Sequence, residues 1–224
     1  MKNPFEAFRN FGKEDLSQTN YLHNKTSRTS DITPLISLFE RFSPRKNQTL
    51  GLLLSHKSIE RLYKEIADTV AGHNFTASMT EDFCYFLCTE RLHGSADSVL
   101  GGLLLSAIIN TSPRELFFLE FPHPNKLLHF IGYRLAEKKK LEIDGNAGDF
   151  LGTNLSGGTI IVNGNIRDWA ALGMGRGKIQ INGSCGRFAC EWMRSGSFLV
   201  TGKIESVGIS AKGTVVEYYK ESNT

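Results

Sequence analysis

The chain has 224 residues, of which 40% are apolar, and its formal net charge is +3. This length suits one large domain or two small ones, whereas so mild a charge does not indicate a nucleic-acid-binding protein. No stretch approaches the roughly 20 apolar residues that span a bilayer, so a membrane protein is not expected either. The start MKNPFEAF lacks the apolar region of a secretory signal, and the four cysteines are typical of reduced thiols. We therefore expect a cytoplasmic protein.

Residues 1–30 are polar and weakly periodic, and we predict a flexible N-terminal segment there. Phe5, Phe8 and Phe11 recur at every third position, which is also compatible with one short amphipathic turn that docks elsewhere. We favour the frayed terminus.

Helical patterns follow in series from residue 31. Asp31 and Ser55 are the predicted N-caps of the first two helices, because apolar residues recur behind each of them at helical spacing. Ser78 and Glu81 have the spacing of a capping box in front of a third helix. This part of the chain therefore predicts a helical domain, which we place at residues 31–122.

A fourth predicted helix begins at Asp97 and contains two consecutive glycines, Gly101 and Gly102. Each glycine costs about 1 kcal/mol relative to alanine inside a helix, so we expect close packing on a neighbour at this point. The run ELFFLEF at 115–121 then predicts a short apolar strand, which the prolines of the next segment close.

From residue 141 to residue 213 the sequence repeats with a period of 19. Each row begins with an alternating apolar run such as Ile160-x-Val162, which indicates a strand. A period held through several rows marks a solenoid, and glycines mark corners that a residue without Cβ can take. The fold class is therefore predicted as α+β, a helical part followed by a right-handed parallel β-helix with 19-residue coils. The glycine columns are Gly145, Gly164, Gly183 and Gly202, and Gly158, Gly177 and Gly196.

Other columns keep the same step. We expect the aromatic column to stack inside the β-helix, and the cysteine columns to be small core positions. Neither Cys84 and Cys88 nor Cys185 and Cys190 have the C-x-x-C spacing of a metal site. The predicted columns are Phe150, Trp169, Phe188 and Val207; Ala147, Ile166, Cys185 and Ile204; and Gly152, Ala171, Cys190 and Ile209.

Residues 125–140 admit two interpretations. They form either an amphipathic helix through Leu127, Leu128 and Ile131, or an imperfect first coil, because Phe130 and Gly132 align with the start of the next row. We favour the coil, so the β-helix is predicted over about 125–219, within a domain of residues 123–224. The run VVEYY at 215–219 is its predicted closing strand.

The row GNAGDFLGTNLSGG and the later EWMRSG resemble the GXGXG β-helix domain, which closes the large subunit of glutamate synthase and forms the C subunit of formylmethanofuran dehydrogenase. The matching positions are Gly145, Gly148, Gly152, Leu155, Gly157 and Gly158 in the first row, and Gly183, Gly186, Met193 and Gly196 in the third. Arg167, Ala171, Arg176, Cys190 and Ser195 depart from the pattern. The resemblance implies a scaffold without chemistry of its own.

The leading hypothesis is therefore a non-catalytic structural or assembly module that binds a protein partner or a second copy of itself. One alternative is a subunit or relic of a redox complex similar to formylmethanofuran dehydrogenase or glutamate synthase. The other is a small enzyme with a pocket at the domain junction near His123, His129 and Arg134. No catalytic, cofactor-binding or metal-binding residue is predicted, because no catalytic motif and no zinc-ligand spacing occurs.

Overall fold

The structure is a computed structural model that describes residues 28–43 and 55–217. The predicted flexible segment 1–30 lies almost entirely outside this part, as do Tyr218 and Tyr219. The helices are α1 (Thr33–Phe42), α2 (His56–Val70), α3 (Ala77–Phe86) and α4 (Ser95–Thr111), with a π-helical turn (Leu87–Arg91) after α3. The strands are β1 (Leu116–Phe121), β2 (Lys140–Gly145), β3 (Ser156–Asn163), β4 (Arg176–Ile181), β5 (Ser197–Val200) and β6 (Thr214–Glu217).

All six strands form one parallel sheet in the order of the sequence, which is the arrangement of a β-helix. Lys140 pairs with Thr159 and Thr159 with Lys178, so the predicted step of 19 is confirmed. The predicted fold class, helices followed by a parallel β-helix, is likewise confirmed. The sheet begins earlier than residue 123, because β1 pairs with β2 and contributes the first strand. The predicted domain boundary therefore cuts through the first coil.

The segment 125–140 forms the first coil, and the alternative of an amphipathic helix is wrong. Backbone hydrogen bonds run between this coil and the next, with Phe130 N donating to Asp149 O at 3.0 Å and Gly152 N donating to Ile131 O at 2.8 Å. The ring of Phe130 stacks on that of Phe150, with their centroids 4.6 Å apart. The alignment of the rows thus predicted the local pairing correctly.

The interior of the coils is filled by columns of apolar side chains. Side chains alternate along a strand, so every second residue of the parallel strands points inward. Residues at the same position of successive coils therefore stack on one another as columns of similar apolar side chains. Every residue of three such columns is buried. They are Phe117, Leu141, Ile160, Ile179 and Phe198; Leu119, Ile143, Val162, Ile181 and Val200; and Leu135, Leu155, Met174 and Met193.

The aromatic column stacks as predicted but lies on the outside, so its predicted interior position is wrong. The rings of Trp169 and Phe188 are 4.5 Å apart, yet Trp169 is only half-buried and Phe188 is 41% exposed. Both residues have a left-handed backbone, with φ of 64° and 58°, and this conformation interrupts the alternation of side chains at the corner. The next residue of each row points inward instead. These buried residues are Leu151, Ala170 and Ala189.

The last coil also departs from the predicted register. Ala189, not Phe188, pairs with Val207, and Ile209 is 98% exposed and does not continue the column of Cys190. The reason is that the last coil is shorter, because Ser197 already pairs with Thr214. The column of Cys185 is confirmed, since isolated bridges join it to both neighbouring coils.

Of the three predicted helix caps, that of Ser55 is confirmed, because its Oγ accepts from Ser58 N at 3.1 Å. The prediction for Asp31 is wrong: Ile32 is the N-cap of α1, and Asp31 lies one residue before it, where its Oδ1 accepts from Thr33 N at 3.0 Å. The capping box of Ser78 and Glu81 is wrong, because α3 begins one residue before Ser78. Its cap is the side chain of Thr76, which accepts from the backbone of the third helical residue.

Glu81 has a different task, which explains why it is buried. Its Oε1 accepts from Phe118 N at 3.4 Å, on the edge of β1 that faces away from β2 and meets no other strand among the described residues. Helix α3 packs over this edge. Unpaired strand edges are usually covered in this way, because their backbone groups otherwise pair with other chains. The helical part therefore caps the N-terminal end of the β-helix.

Helix α4 packs on the turn of the first coil through its two glycines. A Cβ at Gly102 would collide with the carbonyl oxygen of His129, and one at Gly101 would lie 2.8 Å from Leu128 Cδ2. Ser106 Oγ also donates to Phe130 O at 3.1 Å. The close packing expected at the glycine pair is thus confirmed.

This contact predicts a large difference between two glycine substitutions. Gly102→Ala should lower the free energy of unfolding by about 2–4 kcal/mol, because the backbone of the first coil must move to admit the methyl group. Gly72→Ala should change it by less than about 1 kcal/mol, since nothing lies within 4 Å of a Cβ there. Urea unfolding followed by circular dichroism measures both. Equal midpoints for the two variants would contradict the packing described.

Candidate functional site

The last two coils expose four large apolar side chains. They lie in the turn 188–192 and in 207–209 of the following coil, and Gly208 N donates to Ala189 O at 2.7 Å to hold the two segments together. A contiguous exposed apolar patch commonly marks an interaction site. We call these four residues the apolar corner: Phe188 is 41% exposed, Val207 44%, Trp192 63% and Ile209 98%.

The local backbone explains why these side chains face outward. Trp192 has a φ of 56°, a left-handed conformation like that of Phe188. Glu191 between them is buried, and its Oε2 accepts from Ile209 N at 3.1 Å. The carboxylate thereby fixes the last coil against the turn, and the apolar side chains stay on the solvent side.

Charged groups of both signs border the apolar corner. Arg187 Nη2 lies 2.9 Å from Asp168 Oδ2, and Arg187 Nε lies 4.0 Å from Glu205 Oε1. The side chains of Arg187 and Glu205 are 57% and 62% exposed. Exposed ion pairs of this kind contribute little to stability. Arg187 or Glu205 can therefore leave the pair and bind another charged group with little loss of free energy.

The three residues predicted to form a junction pocket are not brought together by any described contact. His123 is exposed in the loop after β1. His129 Nδ1 accepts from Asp149 N at 2.9 Å, whereas Arg134 Nη2 is paired with Glu60 Oε1 at 2.5 Å. The enzyme alternative that rested on a shared pocket of these three residues therefore has no support from their placement.

His129 heads a polar column that the sequence analysis missed. Asp149 Oδ1 accepts from Asp168 N at 3.0 Å, and Asp168 Oδ1 accepts from Arg187 N at 2.8 Å. Burial alone raises the pKa of Asp149, but the contact with His129, whose Nδ1 lies 3.2 Å from Asp149 Oδ2, and the hydrogen bond from the backbone of Asp168 outweigh it, so the pKa is lowered. The 19-residue step of these polar residues was the available signal. A second such column runs through Asn146, Asn165 and Ser184.

All four cysteines are buried and free. Burial, with the nearby Asp168 charge, raises the pKa of Cys185 to about 12, and burial also raises the pKa of Cys190. These are the properties of small core residues, as predicted, and a thiol of this kind is not a nucleophile near neutral pH.

Comparison of the chain with family models, with curated proteins and with solved structures gave no match. Within residues 28–43 and 55–217, no group of three or more His, Cys, Asp or Glu side chains is gathered as a metal site would require. In the same ranges, no helix has the length and apolar character needed to cross a bilayer.

The lowered pKa of Asp149 predicts a pH-dependent effect of Asp149→Asn. A carboxylate whose pKa is lower in the folded state adds stability above its unfolded pKa of about 4, and this contribution is lost as the pH falls through the folded pKa. The urea midpoint of the variant should therefore lie below that of the wild type at pH 7 and converge with it as the pH falls through the folded pKa. A constant difference for Asp149→Asn would contradict the prediction.

The buried thiols predict a simple chemical result. Ellman's reagent at pH 8 should find less than about 0.2 reactive thiols per native chain, because the thiolate is the reactive form and burial suppresses it. In guanidinium chloride all four cysteines should react. Rapid modification of one native thiol would show that a cysteine is accessible and activated.

Proposed function

We propose that this chain is a non-catalytic assembly module whose apolar corner docks on a second copy of the chain. The observation that carries the proposal is the exposure of Trp192 and Ile209 in the last two coils, whose segments are joined by the bond from Ile209 N to Glu191 Oε2. Burial of apolar surface contributes about 25 cal/mol per Å² removed from water, and large exposed aromatic side chains are frequent anchors of interfaces. The corner thus carries a driving force for association.

The charges around the corner favour a second copy over an unlike partner. A two-fold interface brings the same patch of both chains together, so the patch must be complementary to itself. Arg187 and Glu205 meet this condition, because a two-fold axis between them allows Arg187 of one chain to pair with the partner's Glu205. Both side chains are more than half exposed and are joined to each other only at 4.0 Å.

The difference between the two ends of the β-helix also favours docking through the C-terminal end. At the N-terminal end α3 covers β1, and Glu81 accepts from Phe118 N on the edge of β1 that faces away from β2. At the other end β6 has one neighbouring strand among those described, which is β5. An uncovered edge strand offers backbone hydrogen bonds to a second chain. The described surface that remains available for strand pairing therefore lies next to the apolar corner.

The resemblance to GXGXG domains belongs to this proposal as well. Its support is that two of the matching glycines lie at corners where coils approach closely: a Cβ at Gly145 or Gly183 would collide with the backbone of the preceding coil. We infer that the chain is a scaffold of that kind, which holds subunits together as the family domain does. The buried free thiols favour a reducing compartment such as the cytoplasm.

Substitution of the apolar corner tests the proposal. Sedimentation velocity should show a dimer for the wild type, and the double variant Trp192→Ser, Ile209→Ser should dimerise at least about tenfold more weakly, because loss of an aromatic anchor commonly has this effect. Ile161→Ser, on the outer face of the middle coils, is the matched control and should keep the wild-type dimer. A monomeric wild type at about 100 µM would overturn docking on a second copy.

Charge exchange at the rim gives an independent test. Arg187→Glu should weaken the dimer, because it places two acidic groups opposite each other across the axis. Adding Glu205→Arg to this variant should restore the dimer, because the ion pair forms again with the acidic group at position 187 and the basic group at position 205. Failure of the double exchange to recover association, with both proteins folded, would show that these two residues do not face each other.

A further inference from the structure

A groove on the side of the β-helix next to α2 is lined by basic residues that the proposed docking does not use. It has a volume of about 530 Å³ and continues into a second groove of about 360 Å³, with which it shares three residues. We call the two together the basic groove. Its lining residues are His56, Arg134, Asn154, Ser156 and Arg194 in the first part, and Asn154, Leu155, Ser156, Gly175, Arg176 and Arg194 in the second.

The lining contains three arginines and no carboxylate. Glu60, which stands behind Arg134, pairs with it at 2.5 Å and offsets its charge. Arg176 and Arg194 have no carboxylate partner within ion-pair distance among the described residues. The groove therefore keeps two uncompensated guanidinium groups, both on exposed side chains.

The repeat itself shows that these arginines are additions to the scaffold. In the rows of the sequence Arg176 takes the place of Gly157, and in the sheet it pairs with the small residue Ser156 across a shift of register, so the preceding coil has no long side chain at this position. Arg194 lies beside Gly175 of the preceding coil, and a Cβ at residue 175 would be 3.3 Å from Arg194 Nη2. The bare backbone of the glycine thus leaves room for the planar guanidinium to lie against the coil.

Helix α2 adds to the positive potential of the groove. His56, its first residue, lines the groove, and no acidic residue occurs in its first turn. The N-terminal end of a helix carries a partial positive charge from backbone N–H groups and favours anions. The helix end and the unpaired arginines therefore act on the same volume.

We propose that the basic groove binds the phosphate group of a small phosphorylated molecule. The guanidinium fork donates two parallel hydrogen bonds to a phosphate or a carboxylate, and Arg176 and Arg194 supply two such forks. The amide of Asn154 is a further neutral donor, whereas the Ser156 hydroxyl already donates to Leu135 O at 3.1 Å. The volume is that of a small-molecule site. This inference is independent of self-association.

Isothermal titration with pyrophosphate as the probe tests the site on the full chain at low salt. The wild type should show saturable binding, and Arg176→Gln and Arg194→Gln should each weaken it about tenfold, as expected for loss of a charge-assisted hydrogen bond. The control is Arg167→Gln, an exposed arginine that lines neither groove and takes no part in the proposed dimer contact, and its Kd should stay within about twofold of wild type.

Three results would overturn the inference. They are the absence of saturable pyrophosphate binding, equal affinity of the Arg176→Gln and Arg194→Gln variants and the wild type, and binding of citrate as tight as that of pyrophosphate. The last result would mean that the groove responds to negative charge and not to phosphate. Matching urea midpoints of all variants exclude a loss of folding as the cause of weaker binding. Sedimentation of Arg176→Gln should match that of the wild type, which separates this site from the dimer contact.

Discussion

Neighbouring coils of this protein approach each other backbone to backbone at their glycine corners, and the rest of the structure depends on that approach. A Cβ at Gly164 would collide with the carbonyl of Gly145, and a Cβ at Gly183 with that of Gly164. A shift of register by one residue would bring a side chain into this contact, so steric exclusion fixes the step of 19. The interior apolar columns and the polar columns on the outside follow from the same step.

The helical part completes this arrangement because the first coil cannot close its own end. Buried residues of α1 to α4 and of the coils form one continuous apolar core. The backbone of α4 at Gly102 lies so close to the His129 carbonyl that an added Cβ would collide with it, and Phe118 N donates to Glu81. These two contacts take the place of those that a preceding coil would make. The helices therefore form a layer over the first coil and share its apolar core.

The sequence predicted the period, the strands and the glycine columns, because each depends on spacing along the chain. It did not predict which side a column occupies, since an outer and an inner column repeat with the same step. Trp169 shows the difficulty: only its left-handed backbone turns it outward, and no residue type signals that conformation for an aromatic side chain. The position of Ile209 was missed because the last coil is shorter than the period. The basic groove was missed because its residues come from α2 and four separate coils.

The two ends of the β-helix differ, and this difference sets a limit on the size of any assembly. A solenoid with two bare ends stacks head to tail without limit, and the product is a fibre. Here α3 blocks one end, so a chain that binds through the opposite end has used the one described edge from which growth can continue. In the self-association that we propose, binding through the C-terminal end therefore stops at a pair, because the helices cover the end at which a further chain would add.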